Sequence, residues 1–271
     1  MSTFKLKFDE SAGERRKLMG HYSEWKQFCV LQQSLEPGAG DLSVEDAARQ
    51  LYAMLPTRAV NRNQEYAFSI NVLDIAEQIP YSHSAQDKFV GIITRLAKTD
   101  KLSYLVKDGD YASYFSMRAL RQEIYEHSEP IEGEPVQYSN LVGFLARLAT
   151  ARVWPGLFHI VVQLRDFLEE PYGMGDSNAI ICTSIWMLFA GHYIFREVVC
   201  DPAPLDEETE RLFRRGKQYD GPIFGIERWR YWQTTLAAQI EAGGVDINEE
   251  AQNLGRKAVD IMAATDRNMT F

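Results

Sequence analysis

Residues Ala179–Phe195 read Ala-Ile-Ile-Cys-Thr-Ser-Ile-Trp-Met-Leu-Phe-Ala-Gly-His-Tyr-Ile-Phe, and the fold turns on how they are read. No residue in the stretch carries a formal charge unless His192 is protonated. A helix that is apolar all round has no face to give to water, so other elements must enclose it. The run is slightly short for a bilayer span and is interrupted by Thr183, Ser184, Gly191 and His192. It therefore reads as the buried central helix of a globular core rather than a membrane segment. Asp176 stands where an N-cap belongs.

The flanking segments are amphipathic and suited to wrapping such a helix. Before it, Leu157, Ile160, Val161, Leu164 and Leu168 share one face of a helix over 157–170. After it, Ile226, Trp229, Trp232, Leu236 and Ile240 mark a second amphipathic helix, ended by Gly243-Gly244. Asp246 and Glu249 then read as the cap of a last helix with a narrow seam of Ile247, Ala251, Leu254, Ala258, Ile261 and Thr265. A short Gly-rich loop makes these last two helices an antiparallel hairpin.

Further towards the start, helices are expected over 13–35, from Ser43 to Leu55, over 64–79, from Ser84 to about Lys98, from Met117, and over 140–150. Leu102–Phe115 is the strand-like exception, with Asp108-Gly109 as a hairpin turn. Helix, turn, helix and hairpin would suit a winged helix. The helix over 85–98 carries only Lys88, Arg95 and Lys98 against Asp87, which is a weak basis for DNA contact. The competing reading is two core helices and a loop. The expected fold is all-α: a single domain over 1–271, of about ten or eleven helices around the buried one. The acidic stretch Glu126–Glu134, with Pro130 and Gly133, reads as a loop that could join halves 1–127 and 136–271.

The 271 residues allow one large core or two packed halves. A net charge of -9 and a pI near 5.2 repel nucleic acid and anionic lipid, so neither is expected as a partner. Cys29, Cys182 and Cys200 are few and far apart, which fits a reduced, cytoplasmic protein, and the first ten residues lack the apolar core of a signal peptide.

Particular residues, in order, give the chain a resemblance. Ile79-Pro80 is followed by His83 and Gln86. Asn140-Leu-Val-Gly-Phe-Leu-Ala-Arg147-Leu148 comes next, then Leu164-Arg165 through Leu168-Glu169-Glu170, with Trp186 and Ala190-Gly191. Phe224-Gly-Ile-Glu227-Arg228-Trp229-Arg-Tyr-Trp232 is the most distinctive. In these places the chain resembles a family of filamentous fungi, domain of unknown function 3632, over about 43–265. Between Leu102 and Tyr114 it lacks the Trp and Pro of the family pattern. The resemblance implies an intracellular all-helical protein near specialised metabolism, and it brings no catalytic residues.

Walker-type phosphate loops, His-Glu-x-x-His, Cys-x-x-Cys and Gly-x-Ser-x-Gly are absent, so no metal or cofactor is expected. Gly173-Met-Gly175 before a helix could cradle an anion, but Asp176 opposes that and a connecting loop suffices. His159, Gln163, Asp166 and Glu170 share a face that reads either as a solvated stripe or as a general-base site at the histidine. Arg165 and Glu169 are spaced for a mutual pair. Glu227, Arg228 and Tyr231 beside Trp229 and Trp232 could hold a ligand carboxylate, or could form internal ion pairs. His192 reads as a catalytic group or as a histidine bonded in the core or at its rim.

Two functional classes follow. In one, the protein binds or converts a small organic metabolite without a metal. His192 and Glu227 would be its catalytic candidates, and Arg165, Arg228, Tyr231, Trp229 and Trp232 its ligand-binding ones. In the other it is a helical protein–protein interaction or scaffold module without catalysis. A pocket, where present, is expected to have the His192 end of the central helix as a wall.

Overall fold

Helix signals dominate the chain, and the computed structural model is correspondingly all-helical apart from one hairpin. It describes residues 3–8, 23–55, 62–108, 111–126, 135–171, 176–242 and 247–269. Among them are eleven α-helices, beginning with α1 (Glu24–Leu35), α2 (Val44–Met54), α3 (Arg62–Gln78), α4 (Ala85–Leu96), α5 (Arg118–Glu126) and α6 (Pro135–Thr150). Then come α7 (Leu157–Leu168), α8 (Ser177–Phe195), α9 (Glu207–Leu212), α10 (Ile226–Glu241) and α11 (Glu249–Met269). The chain clusters into two compact units: 1–144 with 151–154, and 145–150 with 155–271. The acidic loop read from the sequence falls mostly on 127–134, outside the described residues.

In the first unit α2 packs on α4 and α3 on α5, with α1 against α2, α3 and α4. Ser43 caps α2 as its sequence suggests, its Oγ accepting Asp46 N–H at 3.1 Å. At α4, which begins one residue after the Ser84 start read from the sequence, Ser84 makes no side-chain cap bond and His83 Nδ1 accepts Ala85 N–H at 3.0 Å. The Ile79-Pro80 turn is tied by two buried amides. Gln86 Nε2 donates to Ile79 O at 2.8 Å, Asn140 Oδ1 accepts Tyr81 N–H at 2.9 Å, and Asn140 Nδ2 donates to Glu77 O at 2.8 Å. These residues of the resemblance therefore hold a turn. Strands β1 (Ser103–Asp108) and β2 (Tyr111–Ser116) pair antiparallel from Ser103↔Ser116 to Asp108↔Tyr111, which is the hairpin that Asp108-Gly109 announces. Arg95, a basic residue of the winged-helix reading, is engaged by Glu45 of α2.

In the second unit α8 lies at the core. Ile180, Ile185, Trp186 and Ile194 are all 0% exposed, and each such burial contributes about 1.5–3 kcal/mol. Asp176 caps α8 by accepting Asn178 N–H at 3.0 Å. Ser177–Cys200 is long and apolar enough to cross a membrane, yet 72% of its apolar window is buried inside the protein, as in a core helix. Its last residues, Arg196–Cys200, form a π-helical turn.

The long partner of α8 is α11, and α10 runs antiparallel to α11 as the expected hairpin. Trp229 Nε1 donates to Met262 O at 3.3 Å and Gln233 Nε2 to Val259 O at 3.4 Å. The seam of α11 differs from the expected one: Ala251, Gly255, Ala258, Met262 and Thr265 are buried, while Leu254 and Ile261 sit on its half-exposed flank. Close packing decides this register. A Cβ at Gly255 would lie 2.5 Å from Ile240 Cδ1 and 3.3 Å from Ile180 Cγ2, so the small residues are the ones that face inward. The cap predicted at Asp246 lies outside the described residues, and Asn248 Oδ1 caps α11 by accepting Ala251 N–H at 2.8 Å.

Candidate functional site

The enclosure of α8 is incomplete in one place. Fourteen of its nineteen residues are buried, and apart from Asn178 the remaining ones are Leu188, Phe189, His192 and Tyr193. Their spacing puts all four on one side of the helix. They line a cleft of about 280 Å³, together with Thr150, Met187, Ala190 and Gly191 on one side and Ile261, Ala264, Thr265 and Asn268 of α11 on the other. The lining carries no Asp, Glu, Lys or Arg. Thr150 spends its hydroxyl on Ala146 O at 3.0 Å and Phe189 O at 2.9 Å. Arg147 stacks 3.7 Å over the Phe189 ring just outside the lining. Thr265 is 1% exposed, and its Oγ1 has no hydrogen-bond partner among the described residues. An unpaired buried hydroxyl costs about 1–3 kcal/mol.

His192 is exposed at this cleft and is not bonded inside the core, which corrects that part of its sequence reading. The reason is its place, one helical turn beyond Leu188, on the side of α8 that stays unburied among the described residues. The other candidate residues do not join it. Trp229 is buried behind Gly191, where an added Cβ would lie 4.0 Å from its indole, and it packs edge-on to Phe195 at 5.0 Å. Glu227 is exposed at the start of α10. Tyr231 donates its hydroxyl to Gln218 O at 3.0 Å and lies against Tyr219 at 4.9 Å.

Arg228 and Trp232 belong to a different assembly. Arg228 and Glu169 form an ion pair with both side chains 0% exposed. The guanidinium has five N–H donors, and each finds an acceptor. Nε and Nη2 reach Glu169 Oε1 and Oε2 at 2.7 and 3.1 Å. Nη1 donates to Phe213 O and Ile223 O, both at 2.8 Å, and Nη2 also to Arg214 O at 3.2 Å. The carboxylate is equally full. Oε1 also accepts Trp232 Nε1–H at 2.6 Å, and Oε2 accepts Gly216 N–H at 2.8 Å.

This knot ties the segment between α9 and α10 to the end of α7 and leaves no donor of Arg228 for a ligand. Arg228 also lies 5.3 Å over Trp232 and 5.9 Å over Tyr219, and burial pushes the Tyr219 phenol up to about 12. Glu169, expected to pair with Arg165, pairs instead with Arg228, and Arg165 turns to Asp166 at 2.8 Å. Glu169 lies just beyond α7, at its C-cap, so the i, i+4 rule gives way to tertiary contact.

A third polar set is internal. His159 and Gln163 are each 7% exposed, so that half of the expected solvated stripe is buried, while Asp166 remains at the surface. Trp186 Nε1–H donates to Gln163 Oε1 at 2.8 Å, and Gln163 Nε2 meets His159 Nε2 at 2.9 Å. An indole nitrogen is donor only. It fixes the amide with its oxygen inward, so the NH2 must donate to His159, which accepts as a neutral ring protonated at Nδ1. Burial holds the imidazole down to about 4, in agreement with that state.

Among the described residues no group of three or more His, Cys, Asp or Glu could hold a metal ion. Sequence reasoning missed Thr265 and Asn268, which sit on the far helix and carry no motif. It also missed Glu169 as the partner of Arg228, although both stand in the segments that carry the resemblance.

A family model described as "Protein of unknown function (DUF3632)" matches residues 71–236, more than half of the chain. No curated protein and no solved structure matches it. The matched span contains the whole Glu169–Arg228–Trp232 knot and the α8 wall of the cleft, and it ends before α11.

Proposed function

We propose that this chain, which belongs to the DUF3632 family of proteins of unknown function, binds a small uncharged organic molecule in the cleft between the later half of α8 and the end of α11. One observation carries the reading. Among the described residues the most apolar helix is buried throughout except at Asn178 in its first turn and at Leu188, Phe189, His192 and Tyr193, and those last four residues line a concave site. Apolar surface left bare at the centre of a fold fits a ligand better than it fits water.

The lining sets the chemistry. It has no formal charge to balance an ion, so a neutral ligand is favoured. Aliphatic and aromatic walls suit a ring or a branched chain, with His192 and Asn268 available for one or two directional hydrogen bonds. The volume, about 280 Å³, falls just below the usual range of ligand pockets, roughly 300 to 1,000 Å³, and suits a small molecule. Conversion of the ligand would call on His192, the one imidazole of the lining, as acid or base. Arg165, Arg228, Trp229, Tyr231 and Trp232 act in this reading as structural support. The setting is the cytoplasm, where the free thiols Cys29, Cys182 and Cys200 stay reduced.

The test is native mass spectrometry of the purified chain for a co-purified compound, followed by thermal shift against neutral metabolites. A compound free at about 100 times its Kd should add ~2.7 kcal/mol of stability. Ala264→Trp, which fills the cleft from α11, should abolish the shift. A hit that stabilises wild type and Ala264→Trp equally would sink the assignment.

A further inference from the structure

Thr3–Phe8 lies outside helix and strand but is docked on the first unit in an alternating manner. Leu6 is 3% exposed and Phe4 and Phe8 are half-buried, while Lys5 and Lys7 face solvent. That period of two belongs to an extended chain. Side chains, not a neighbouring strand, read its main chain. Gln78 Oε1 accepts Lys7 N–H at 2.7 Å and Gln78 Nε2 donates back to Lys7 O at 3.0 Å. Nε2 also donates to Asp74 O at 2.9 Å, which fixes the orientation of the amide. Glu36, at the end of α1, accepts Leu6 N–H at 3.0 Å while Gln32 Nε2 steadies it at 2.9 Å. The side chains find ring pockets. Phe4 meets His83 edge-on at 4.9 Å, and Phe8 meets Trp25 at 5.3 Å and Phe28 at 5.4 Å.

Contacts of this kind do not depend on which chain supplies the segment. The amide clamp reads any peptide bond, and the pockets ask only for apolar groups at alternate positions. We propose that the groove formed by Gln78, Glu36, His83, Trp25 and Phe28 is a binding site for an extended peptide of a partner protein. That peptide has apolar residues at alternate positions and basic residues between them, and Thr3–Phe8 occupies the groove in cis as its competitor. Trp25 remains 42% exposed even with Phe8 against it, so an occupant that reaches further over the indole would bury more apolar surface. Basic residues between the anchors suit a chain of net charge -9, which attracts them during encounter. A second copy of this chain is disfavoured as the occupant. It would bring an identical segment with no better fit, against a cis segment held at roughly millimolar effective concentration.

The experiment uses the full chain and a fluorescein-labelled Thr-Phe-Lys-Leu-Lys-Phe peptide, read by anisotropy. Phe4→Asp with Leu6→Asp should expel the cis segment and bind the peptide saturably, at least tenfold tighter than wild type. Adding Gln78→Ala should weaken that binding about tenfold, and a peptide with Asp in place of its Leu should not bind. Where the double variant loses helical circular dichroism, Lys7→Pro serves instead, since it deletes the N–H that Gln78 reads and leaves every groove residue intact. A folded, released variant that fails to bind overturns the proposal, as does equal binding of the native and Asp-bearing peptides. Wild type forming a concentration-dependent dimer that Phe4→Asp/Leu6→Asp abolishes would also overturn it, by assigning the groove to a second copy.

Discussion

Replacing Glu169 by Gln isolates what the buried knot does. The substitution keeps the shape and removes one charge. The carboxylate accepts four donors: two from Arg228, one from Trp232 and one from Gly216. A Gln oxygen can serve Arg228 Nε and Trp232 Nε1, but its NH2 then points donor against donor at Arg228 Nη2 and Gly216 N–H. Arg228 is left with its charge uncompensated at 0% exposure. Breaking a buried pair from one side costs about 3–5 kcal/mol, a large part of the roughly 5–15 kcal/mol that holds a protein folded.

Urea unfolding at pH 7, followed in parallel by tryptophan fluorescence and far-UV circular dichroism, measures the loss. The double variant Glu169→Leu/Arg228→Met separates a simple ion pair from a knot. An isolated pair replaced by apolar groups regains stability. Here the double variant still orphans Trp232 Nε1, Gly216 N–H and the carbonyls of Phe213, Arg214 and Ile223, at about 1–3 kcal/mol for each that stays dry. It should therefore remain destabilised by several kcal/mol. A double variant within about 1 kcal/mol of wild type would refute the reasoning, since partners that can be dispensed with hold nothing together.

Other expectations are shorter. His159 is held to about 4 in the fold against an ordinary value of 6.5, so the unfolded chain binds the extra proton first. Its contribution is present above pH 6.5 and is lost as pH falls to about 4, by roughly 3 kcal/mol. The difference between wild type and His159→Leu in thermal stability should shrink over that window, and a constant difference would show that the imidazole is not neutral inside. Thr265→Val removes a buried hydroxyl with no partner, so it should leave stability unchanged or raise it by about 1 kcal/mol; clear destabilisation in urea would mean the hydroxyl is bonded. Gly216→Ala places a Cβ 2.5 Å from Glu169 Cβ and 2.6 Å from its carbonyl oxygen, so it should cost about 1–3 kcal/mol, whereas Glu227→Gln at the exposed start of α10 should not move the urea midpoint.

What could be read from the sequence follows what is local. Ala179–Phe195 announces its burial because every face is apolar, and the α10–α11 hairpin announces itself through periodicity on both arms. Asp176 and Ser43 cap their helices because a cap is settled within one turn. Pairings across the fold are another matter. Glu169 is as well spaced for Arg165 as any surface pair, and only packing of α7 on α10 brings Arg228 within 2.7 Å of it. Alternating steps of four and three residues place Leu254 and Ile261 in the α11 seam. Steric room against Ile240 and Ile180 put Gly255 there instead, and rotated Ile261 to the rim of the cleft. The alternation of Phe4-Lys5-Leu6-Lys7-Phe8 is local, and nothing next to it in the sequence says what it docks on, so it is not among the elements expected from the sequence.

The same packing explains why a cleft opens where it does. A helix as apolar as α8 would be covered along its whole length if its neighbours were long and straight enough. α11 covers it closely while its seam is Ala251, Gly255 and Ala258. Beyond Ala258 the buried positions become Met262 and Thr265, larger side chains that need more room between packed helices. In the same stretch α8 presents Gly191 and its unburied Leu188 and His192. Small residues stand at one end of the interface and larger ones at the other, and the cleft lies at the end with the larger ones. Gly191 then becomes the position to vary. A Cβ there meets nothing closer than 3.9 Å, so Gly191→Ala should fold normally and gain helix propensity of up to about 1 kcal/mol, while narrowing the cleft floor. A neutral ligand found by mass spectrometry should bind Gly191→Ala more weakly than wild type although the protein is the more stable of the two. Unchanged affinity would place that ligand elsewhere.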